Sequence, residues 1–385
     1  MNILITSWRT VVSLEFLRLL HSHENNLFVI ESQENFMSKH SRYLKKYVLV
    51  HTPKYEFEKY KKDVLHVIKH EKIDLVIPTC EDIFYISRFK DEIESLGCKI
   101  ISDTFEKLKL FHSKIEIMKI SENLWVLIPL TLEFNSLEKL KDYIEKNPDF
   151  RYVAKPKYSR FSSFISSNAM NDTIGLDDIK IDLSSNSYIL QEYVPWQVVC
   201  SYSIFDKWKL VSHLNYKSIL NYKNWASTYF ESFENDSILN FVRNFAKKFD
   251  FDWQISFDFI ITSDNKIYLI ECNPRTTSWL HLLKNNAEFK ETFLNYAKQK
   301  PYNEFILKWT IWKWLSFINL MYTFDLKKVK HWLKSLVSDV VFDTKDYKPF
   351  VWQIKLLKWY KKIAKEKNIA LSEVTVFWLD YDWEE

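Results

Sequence analysis

The chain has 385 residues and a formal net charge of only +4 at pH 7, from 54 basic and 50 acidic side chains. This length has room for two or three domains with ample core. Because the net charge is so small, no strongly basic surface predicts a nucleic-acid partner. The four cysteines are widely spaced and form no CxxC pair, which fits a reducing cytosol and gives no case for a zinc site.

Two further features predict a soluble, cytoplasmic protein. The N-terminal segment 1–6 begins directly with a strand pattern and lacks the basic and apolar regions of a signal peptide. An uninterrupted apolar run of about 18 residues, which a transmembrane helix needs, does not occur, since Lys308 and Lys313 interrupt the best candidate. We therefore expect no stable membrane insertion.

The glycine and tryptophan contents are abnormal. At a usual content of about 7%, a chain this long would hold about 27 glycines, yet it has two glycines and 15 tryptophans. Several tryptophans stand in turn-like segments where glycine is common, namely Trp8, Trp196, Trp208, Trp225 and Trp279. We hypothesise that the gene reads UGA as glycine and that these codons are translated here as tryptophan. The alternative is a natural glycine-poor, tryptophan-rich protein.

In chain order, residues 1–110 alternate strand and helix patterns. Strands are expected at 2–6, 26–30, 47–50, 75–78 and 99–102, and helices at 11–20, 57–69 and 83–96. Such alternation predicts a parallel, Rossmann-like open sheet. Ligands of these sheets bind at the carboxyl ends of strands, which nominates segments 6–9 and 78–82. Ordinary loop polarity and helix capping are the alternative.

Beyond this region the pattern changes to mixed α+β. We expect a helix at 107–121, a strand at 151–156 before a serine-rich loop, a strand at 188–195, a hairpin at 201–205 and 210–215, and a helix at 240–249. From residue 299, helices at 327–336 and 351–366 form an extension, interpreted as a cap or an oligomerisation element. Its tryptophans also resemble a membrane-surface amphipathic segment, a signal that disappears if they are glycines.

Two alternating runs around residues 263–266 predict a β-hairpin. With a two-residue turn, Asp258 lies directly across from Glu271, and Asn273 shares their face. Opposed carboxylates repel each other, and a hard cation such as Mg²⁺ removes that penalty. The other face is expected in the core, with Phe257, Phe259, Ile261, Tyr268, Ile270 and Cys272. A surface hairpin with solvated acids is the alternative, and a longer loop or a bulge would shift the register.

The segment 271–275, Glu-Cys-Asn-Pro-Arg, preceded thirteen residues earlier by Asp258, resembles the metal-binding end of the ATP-grasp superfamily. The resemblance is to the branch with carbamoyl-phosphate synthase and other carboxylate–amine ligases, and it covers roughly residues 1–285. It implies an α/β and α+β fold: a Rossmann-like pre-ATP-grasp domain (1–110), two ATP-grasp subdomains (111–200 and 201–298) and a helical C-terminal extension (299–385). It also implies that Asp258, Glu271 and Asn273 hold Mg²⁺ (or Mn²⁺), with Arg275 facing the transferred phosphate or acyl phosphate.

The same resemblance implies the nucleotide contacts. Lys114 and Lys155 would reach the phosphates, and Arg160 would clamp the γ-phosphate from a loop that lacks the family's usual glycines. Segment 188–195 resembles the adenine hinge, where Glu192 would accept from the amino group and the other contributors are Gln191, Tyr193 and Val194. Without the resemblance, the sequence predicts a core strand ending at a proline turn for segment 188–195, and Lys114 would be a solvated lysine on a helix. A ribose-binding carboxylate is not evident.

The resemblance implies an ATP-dependent ligase that joins a small-molecule carboxylate to an amine or similar nucleophile through an acyl phosphate. A nucleotide-binding regulator without ligase activity is the alternative, which the missing loop glycines and ribose carboxylate favour if the tryptophans are natural. A peripheral membrane protein that uses the tail is a third interpretation. The identity of both substrates, and whether the protein is a homo-oligomer, stay open at this stage.

Overall fold

The computed structural model describes ten segments of the chain. These are residues 1–6, 11–159, 165–170, 173–178, 187–222, 226–284, 286–308, 311–314, 339–368 and 374.

A parallel five-stranded sheet forms the N-terminal part of the fold. Its strands are β1 (Asn2–Ile5), β2 (Asn26–Glu31), β3 (Lys46–Leu49), β4 (Leu75–Ile77) and β5 (Lys99–Ile100). Their order across the sheet is β3-β2-β1-β4-β5, and every neighbouring pair is parallel. Two of the connecting helices are α1 (Val11–Leu20) and α2 (Phe57–His70), and Met37–His40 is a 3-10 turn. The predicted Rossmann-like sheet is confirmed.

Two helices that the sequence predicts as continuous are broken. The first consists of α3 (Asp82–Ile86), a 3-10 turn (Ser87–Phe89) and α4 (Lys90–Ser95). It breaks because Phe89 leaves the helical region, with φ −127°, while its ring stays buried in the core. The second consists of α5 (Phe105–His112) and α6 (Glu116–Ser121), because Ser113 is extended with ψ 116°. This second break places Lys114 in a turn.

A small antiparallel sheet follows, with the order β6-β9-β7-β8. Its strands are β6 (Thr131–Phe134), β7 (Tyr152–Pro156), β8 (Ser166–Ser167) and β9 (Tyr188–Glu192), and α7 (Leu137–Lys146) covers one face. That face contributes Tyr152, Ala154, Tyr188 and Leu190 to a small core around Leu140. Because strand side chains alternate, the opposite face presents Val153, Lys155, Ile189 and Gln191.

A large antiparallel sheet has the order β14-β13-β10-β11-β12-β16. Its strands are β10 (Gln197–Asp206), β11 (Lys209–Tyr222), β12 (Ala226–Phe233), β13 (Trp253–Ile261), β14 (Ile267–Asn273) and β16 (Trp312–Trp314), and β15 (Phe305–Ile306) pairs in parallel with β11. A 3-10 turn (Ser278–Leu283) and α9 (Ala287–Ala297) follow β14.

Helix α8 (Asp236–Phe249) covers one face of the large sheet. Asn235 caps its start by accepting a hydrogen bond from the Ile238 N–H at 3.0 Å. The rings of Phe241 and Phe245 pack on Phe257 with centroid distances of 5.1 and 4.9 Å. This aromatic packing buries the α8 side of the sheet. On the other face, Tyr202, Ile204 and Leu214 join a second core cluster that includes the parallel sheet, and the site lies on that same face.

The chain after α9 first adds strands to the large sheet and then returns to the parallel sheet. Strands β15 and β16 lie beyond the predicted boundary at 298, and both join the large sheet. Helix α10 (Lys348–Lys367) packs on the first 3-10 turn, where the rings of Trp352 and His40 lie 4.0 Å apart. The predicted helix at 327–336 lies outside the described residues. Among the described helices, none is long and apolar enough to cross a membrane.

A buried ion pair anchors this returning segment. The Arg18 Nε on α1 lies 3.1 Å from Asp346 Oδ2, and both side chains are nearly inaccessible. Arg18 also donates to the carbonyl oxygens of Val340 and Val341, and Ser41 donates to the same Asp346 oxygen. The segment before α10 is therefore held on α1 by charge and several hydrogen bonds.

Tryptophan occupies backbone conformations that normally belong to glycine. Among the described residues, eleven non-glycine residues have positive φ, and four of them are tryptophans: Trp125 (64°), Trp196 (112°), Trp208 (61°) and Trp253 (81°). Such angles are outliers for bulky side chains. Trp125 and Trp196 are 92% and 62% exposed, so burial of the indole does not offset the strain there.

The turn between β10 and β11 also has a backbone conformation that favours glycine. Asp206 pairs with Lys209, which leaves Lys207 and Trp208 as a two-residue turn with φ values of 46° and 61°. Two positive φ values define a type I′ turn, whose second position favours glycine. These angles support the recoding hypothesis. Trp8 and Trp225 lie outside the described residues.

Replacing Trp196 or Trp208 with glycine is expected to raise the free energy of unfolding by about 1 kcal/mol each, because glycine has no Cβ penalty at positive φ. Urea unfolding of each variant measures the gain. Trp352→Gly, inside α10, is the contrasting control and should lose at least about 1 kcal/mol, because glycine is unfavourable in a helix and the contact with the His40 ring is lost. Equal stability of Trp196→Gly and the unsubstituted protein would contradict the strain, and UGG codons at these positions would contradict recoding.

Candidate active site

The β13–β14 hairpin places two carboxylates at paired positions. Asp258 pairs with Glu271, the register that the sequence predicts. Residues 262–266 form the turn in place of the predicted two-residue loop, which displaces the strand pairing by one position. A register shift between Asp258 and Phe259, where β14 carries one extra residue, cancels this displacement. The predicted pair therefore forms through two compensating irregularities.

The bulge changes which β14 side chains are buried. Leu269 pairs with Phe259 and is fully buried, whereas Tyr268 and Ile270 are half-buried. The expectation that Tyr268 and Ile270 belong to the core is wrong, because one inserted residue reverses the alternation of faces beyond it. Of the other residues expected in the core, Ile261 is half-buried, whereas Phe257, Phe259 and Cys272 are buried.

Asp258 and Glu271 belong to a polar row across four strands of the large sheet. Cys200 on β10 pairs with Asp258, and Tyr216 on β11 pairs with Cys200. Directly paired residues on antiparallel neighbours share one face, so these side chains lie next to one another opposite the α8 core. Hydrogen bonds link Asp258 to Cys200 and Cys200 to Tyr216.

Two buried lysines face Glu271. The Nζ atoms of Lys114 and Lys155 lie 3.9 and 4.0 Å from Glu271 Oε2, and their exposures are 2% and 6%. Lys114 lies in the turn between α5 and α6 and donates to the Ser159 carbonyl at 3.3 Å, while Lys155 lies on β7. Three separate segments therefore converge on one carboxylate.

Burial and charge set the protonation of this cluster. Burial raises the pKa of Asp258, and the adjacent Glu271 raises it further. Burial also acts to raise the pKa of Glu271, but Lys114 and Lys155 outweigh it and hold that pKa below its usual range. Burial lowers the pKa of Lys114 to about 8. The carboxylate pair therefore carries its negative charge mainly on Glu271.

Asn273 and Arg275 extend the site past the end of β14. Asn273 donates from Nδ2 to Glu271 Oε1 at 3.1 Å, and its Oδ1 accepts from Arg275 Nη2 at 3.1 Å. The same Nη2 lies 3.1 Å from Glu81 Oε1, just beyond the carboxyl end of β4. The structure thus brings together six of the residues that the sequence predicts: Lys114, Lys155, Asp258, Glu271, Asn273 and Arg275.

The oxygen donors of this cluster suit a hard divalent cation. Two carboxylates and an amide oxygen are ligand types that Mg²⁺ prefers. In the described part of the chain, no group of three His, Cys, Asp or Glu side chains could hold a metal ion. Three side-chain oxygen donors are fewer than Mg²⁺ takes, which fits a cation that keeps water or phosphate ligands of its own.

The predicted adenine hinge presents Gln191 rather than Glu192 to the face that carries Lys155. Gln191 is buried on that face, and its Nε2 donates to Thr131 Oγ1 at 3.2 Å. Glu192 is exposed, and its carboxylate accepts from the Leu130 N–H at 3.2 Å. Because side chains alternate along a strand, Glu192 points to the opposite face. The sequence interpretation of the hinge did not take this alternation into account.

The remaining predicted residues lie at the edges of the site. Tyr193 donates its backbone N–H to the Arg151 carbonyl at 2.9 Å and lies under the Arg151 guanidinium, and Val194 is buried. Arg160 lies outside the described residues, so the structure does not place the predicted γ-phosphate clamp.

Two buried residues beside the site have no assigned role in the sequence interpretation. His112 Nδ1 lies 3.4 Å from the Cys272 carbonyl, and burial lowers the pKa of His112 well below its usual value. Glu81 belongs to the nominated strand-end segment 78–82, which is the signal that could have found it. Its pairing with Arg275 joins positions far apart in sequence, which local patterns do not reveal.

Comparisons with known proteins give the fold. No protein-family model and no curated protein sequence matches the chain. N5-carboxyaminoimidazole synthetase from Staphylococcus aureus superimposes with a TM-score of 0.58 at 11% identity, over 79% of this chain and 78% of that chain. The ADP complex of an N5-carboxyaminoimidazole ribonucleotide synthetase gives 0.59 at 14% identity, over 81% of this chain and 80% of that chain.

A third similar structure is the biotin carboxylase domain dimer of 2-oxoglutarate carboxylase from Hydrogenobacter thermophilus, in complex with MgADP, ADP and bicarbonate. It gives a TM-score of 0.59 at 12% identity, over 78% of this chain and 70% of that chain. At such identities the likeness establishes the fold. The ATP-grasp fold implied by the sequence is confirmed.

Exchanging the two carboxylates for amides is expected to have unequal effects on stability without divalent cations. Asp258→Asn removes one of two adjacent acids and should leave the free energy of unfolding unchanged or raise it by about 1 kcal/mol. Glu271→Gln leaves Lys114 and Lys155 without their shared counter-charge and should lower it by about 3 kcal/mol. Urea unfolding in EDTA compares them. A greater loss for Asp258→Asn would contradict the charge distribution described above.

Proposed function

We propose that this protein is an ATP- and Mg²⁺-dependent ligase that joins a carboxylate to an amine or similar nucleophile through an acyl phosphate. The observation that carries the proposal is the half-buried Asp258–Glu271 pair opposite the buried Lys114 and Lys155. The fold it shares with MgADP- and ADP-binding ligases supports it.

ATP would bind between the small and large sheets. Lys155 and Gln191 lie on the face of the small sheet opposite α7, and the carboxylate row lies on the face of the large sheet opposite α8. The backbone at Tyr193 and Val194 would read the adenine edge beside Gln191. Lys155 and Lys114 would contact the phosphates as point charges.

Asp258, Glu271 and Asn273 would hold Mg²⁺ or Mn²⁺, and the bound cation would supply positive charge to the phosphate oxygens. In the free protein, the lysine charges neutralise Glu271. With a cation held beside that carboxylate, Lys114 and Lys155 would be available to contact the phosphates.

In the reaction, an oxygen of the substrate carboxylate attacks the γ-phosphorus, and the bond to ADP breaks. The amine nitrogen then attacks the acyl carbon, and inorganic phosphate leaves. Arg275 and the two lysines stabilise charge on the phosphoryl oxygens. The scheme needs no nucleophile from the protein, so the chain's contribution is positioning and charge.

The partners in this proposal are small molecules, and we place the protein in the cytoplasm. The four cysteines, Cys80, Cys98, Cys200 and Cys272, are buried free thiols, which suits a reducing compartment. We also propose a homo-oligomer, because one structural neighbour is a dimer.

The test is ADP release with pooled amino acids and small carboxylates. The protein should release ADP in the presence of one pool, and Asp258→Asn or Lys155→Ala should lower the rate by at least about a hundredfold with the fold intact by circular dichroism. Full turnover in either variant would remove the site assignment. MgADP binding without ADP release from any pool would instead favour the regulatory protein.

A further inference from the structure

Glu81 and Arg275 form an ion pair that joins two parts of the fold. Glu81 follows β4 at the carboxyl edge of the parallel sheet, and Arg275 follows β14 of the large sheet. Their Oε1 and Nη2 atoms lie 3.1 Å apart, and the two side chains are 4% and 13% exposed. The contact thus links the ligand-binding edge of the parallel sheet to the carboxylate cluster.

The guanidinium is held from two sides. Arg275 Nη2 also donates to Asn273 Oδ1 at 3.1 Å, and Nη1 donates to the Thr276 carbonyl at 3.4 Å. These two oxygens are uncharged and belong to the same short segment as Arg275. Among the contacts described for the guanidinium, Glu81 therefore supplies the one anionic oxygen and the one anchor from another sheet. A planar guanidinium with fixed partners has a defined orientation.

Stability alone does not account for this pair. A buried ion pair is weak evidence for stabilisation, because the cost of removing both charges from water is comparable to their attraction. The pair between Arg18 and Asp346 has the same 3.1 Å separation and is also buried. The Arg18–Asp346 pair anchors the C-terminal segment, whereas in the Glu81 pair the Arg275 guanidinium also donates a hydrogen bond to Asn273. Both are buried carboxylate–guanidinium ion pairs, and they differ in what they hold.

We propose that Glu81 is a positioning residue that holds the Arg275 guanidinium where negative charge develops on the transferred phosphoryl group. This inference rests on the proposed function. Glu81 acts through Arg275 and not through a contact with the nucleotide. Because Glu81 belongs to the parallel-sheet part, the transfer centre is complete only when that part packs on the large sheet.

Isothermal titration with MgADP, in the absence and presence of aluminium fluoride, tests this role. Aluminium fluoride with MgADP mimics the phosphoryl group in transfer and should tighten binding to the unsubstituted protein. In Glu81→Gln, the dissociation constant for MgADP alone should change less than twofold, but the tightening by aluminium fluoride should fall by at least about tenfold. Glu81→Asp, which keeps the charge, should retain part of the tightening.

Asp346→Asn is the matched control, since it breaks a buried ion pair of the same kind away from the site. It should lower the midpoint of thermal unfolding and keep the full tightening. Arg275→Lys gives a second readout if Glu81→Gln does not fold, because a lysine keeps the charge but loses the planar fork, and it should also lose the tightening.

The results separate the two proposals. If the unsubstituted protein does not bind MgADP, both the ligase proposal and this inference are wrong. If it binds MgADP and the tightening is absent, unchanged in Glu81→Gln, or equally lost in Asp346→Asn, the positioning role is wrong and nucleotide binding stands.

Discussion

Two carboxylates at paired positions on adjacent strands repel each other, and burial strengthens the repulsion, so a fold keeps such a pair only where other charges offset it. Here Lys114 and Lys155 approach Glu271 from two separate segments, while Asp258 has a raised pKa. Each of these groups would be costly to bury by itself. The cluster is therefore a single unit in which the protonation of each group depends on the others.

This requirement explains how the sheets are arranged around the site. The large sheet supplies both carboxylates, the small sheet supplies Lys155 beside Gln191, and the parallel sheet supplies Glu81 against Arg275. The polar groups of the site occupy only part of these faces, because apolar side chains cover both faces of the parallel sheet and part of the large-sheet face that carries the carboxylates. The cluster depends on contacts between the parts of the fold as much as on any one of them.

The sequence predicts well whatever follows from local periodicity. The parallel sheet and the Asp258–Glu271 pairing both follow from alternating patterns, although the pairing survives only because a displaced turn and a bulge cancel. The burial of Leu269 in place of Ile270 was not predictable, because a bulge leaves no clear pattern. Long-range contacts such as Glu81–Arg275 depend on how sheets pack. The positive φ values at tryptophans add backbone evidence to the recoding hypothesis, which the composition had first suggested.

The central claim is that the carboxylate pair binds a divalent cation together with a nucleotide. Electron paramagnetic resonance of Mn²⁺, titrated with the protein at fixed ADP, measures this directly because free Mn²⁺ gives a strong signal that falls on binding. The account predicts that the unsubstituted protein removes the free signal only when ADP is present and that Asp258→Asn does not remove it. Equal loss of the free signal with both proteins would contradict the claim.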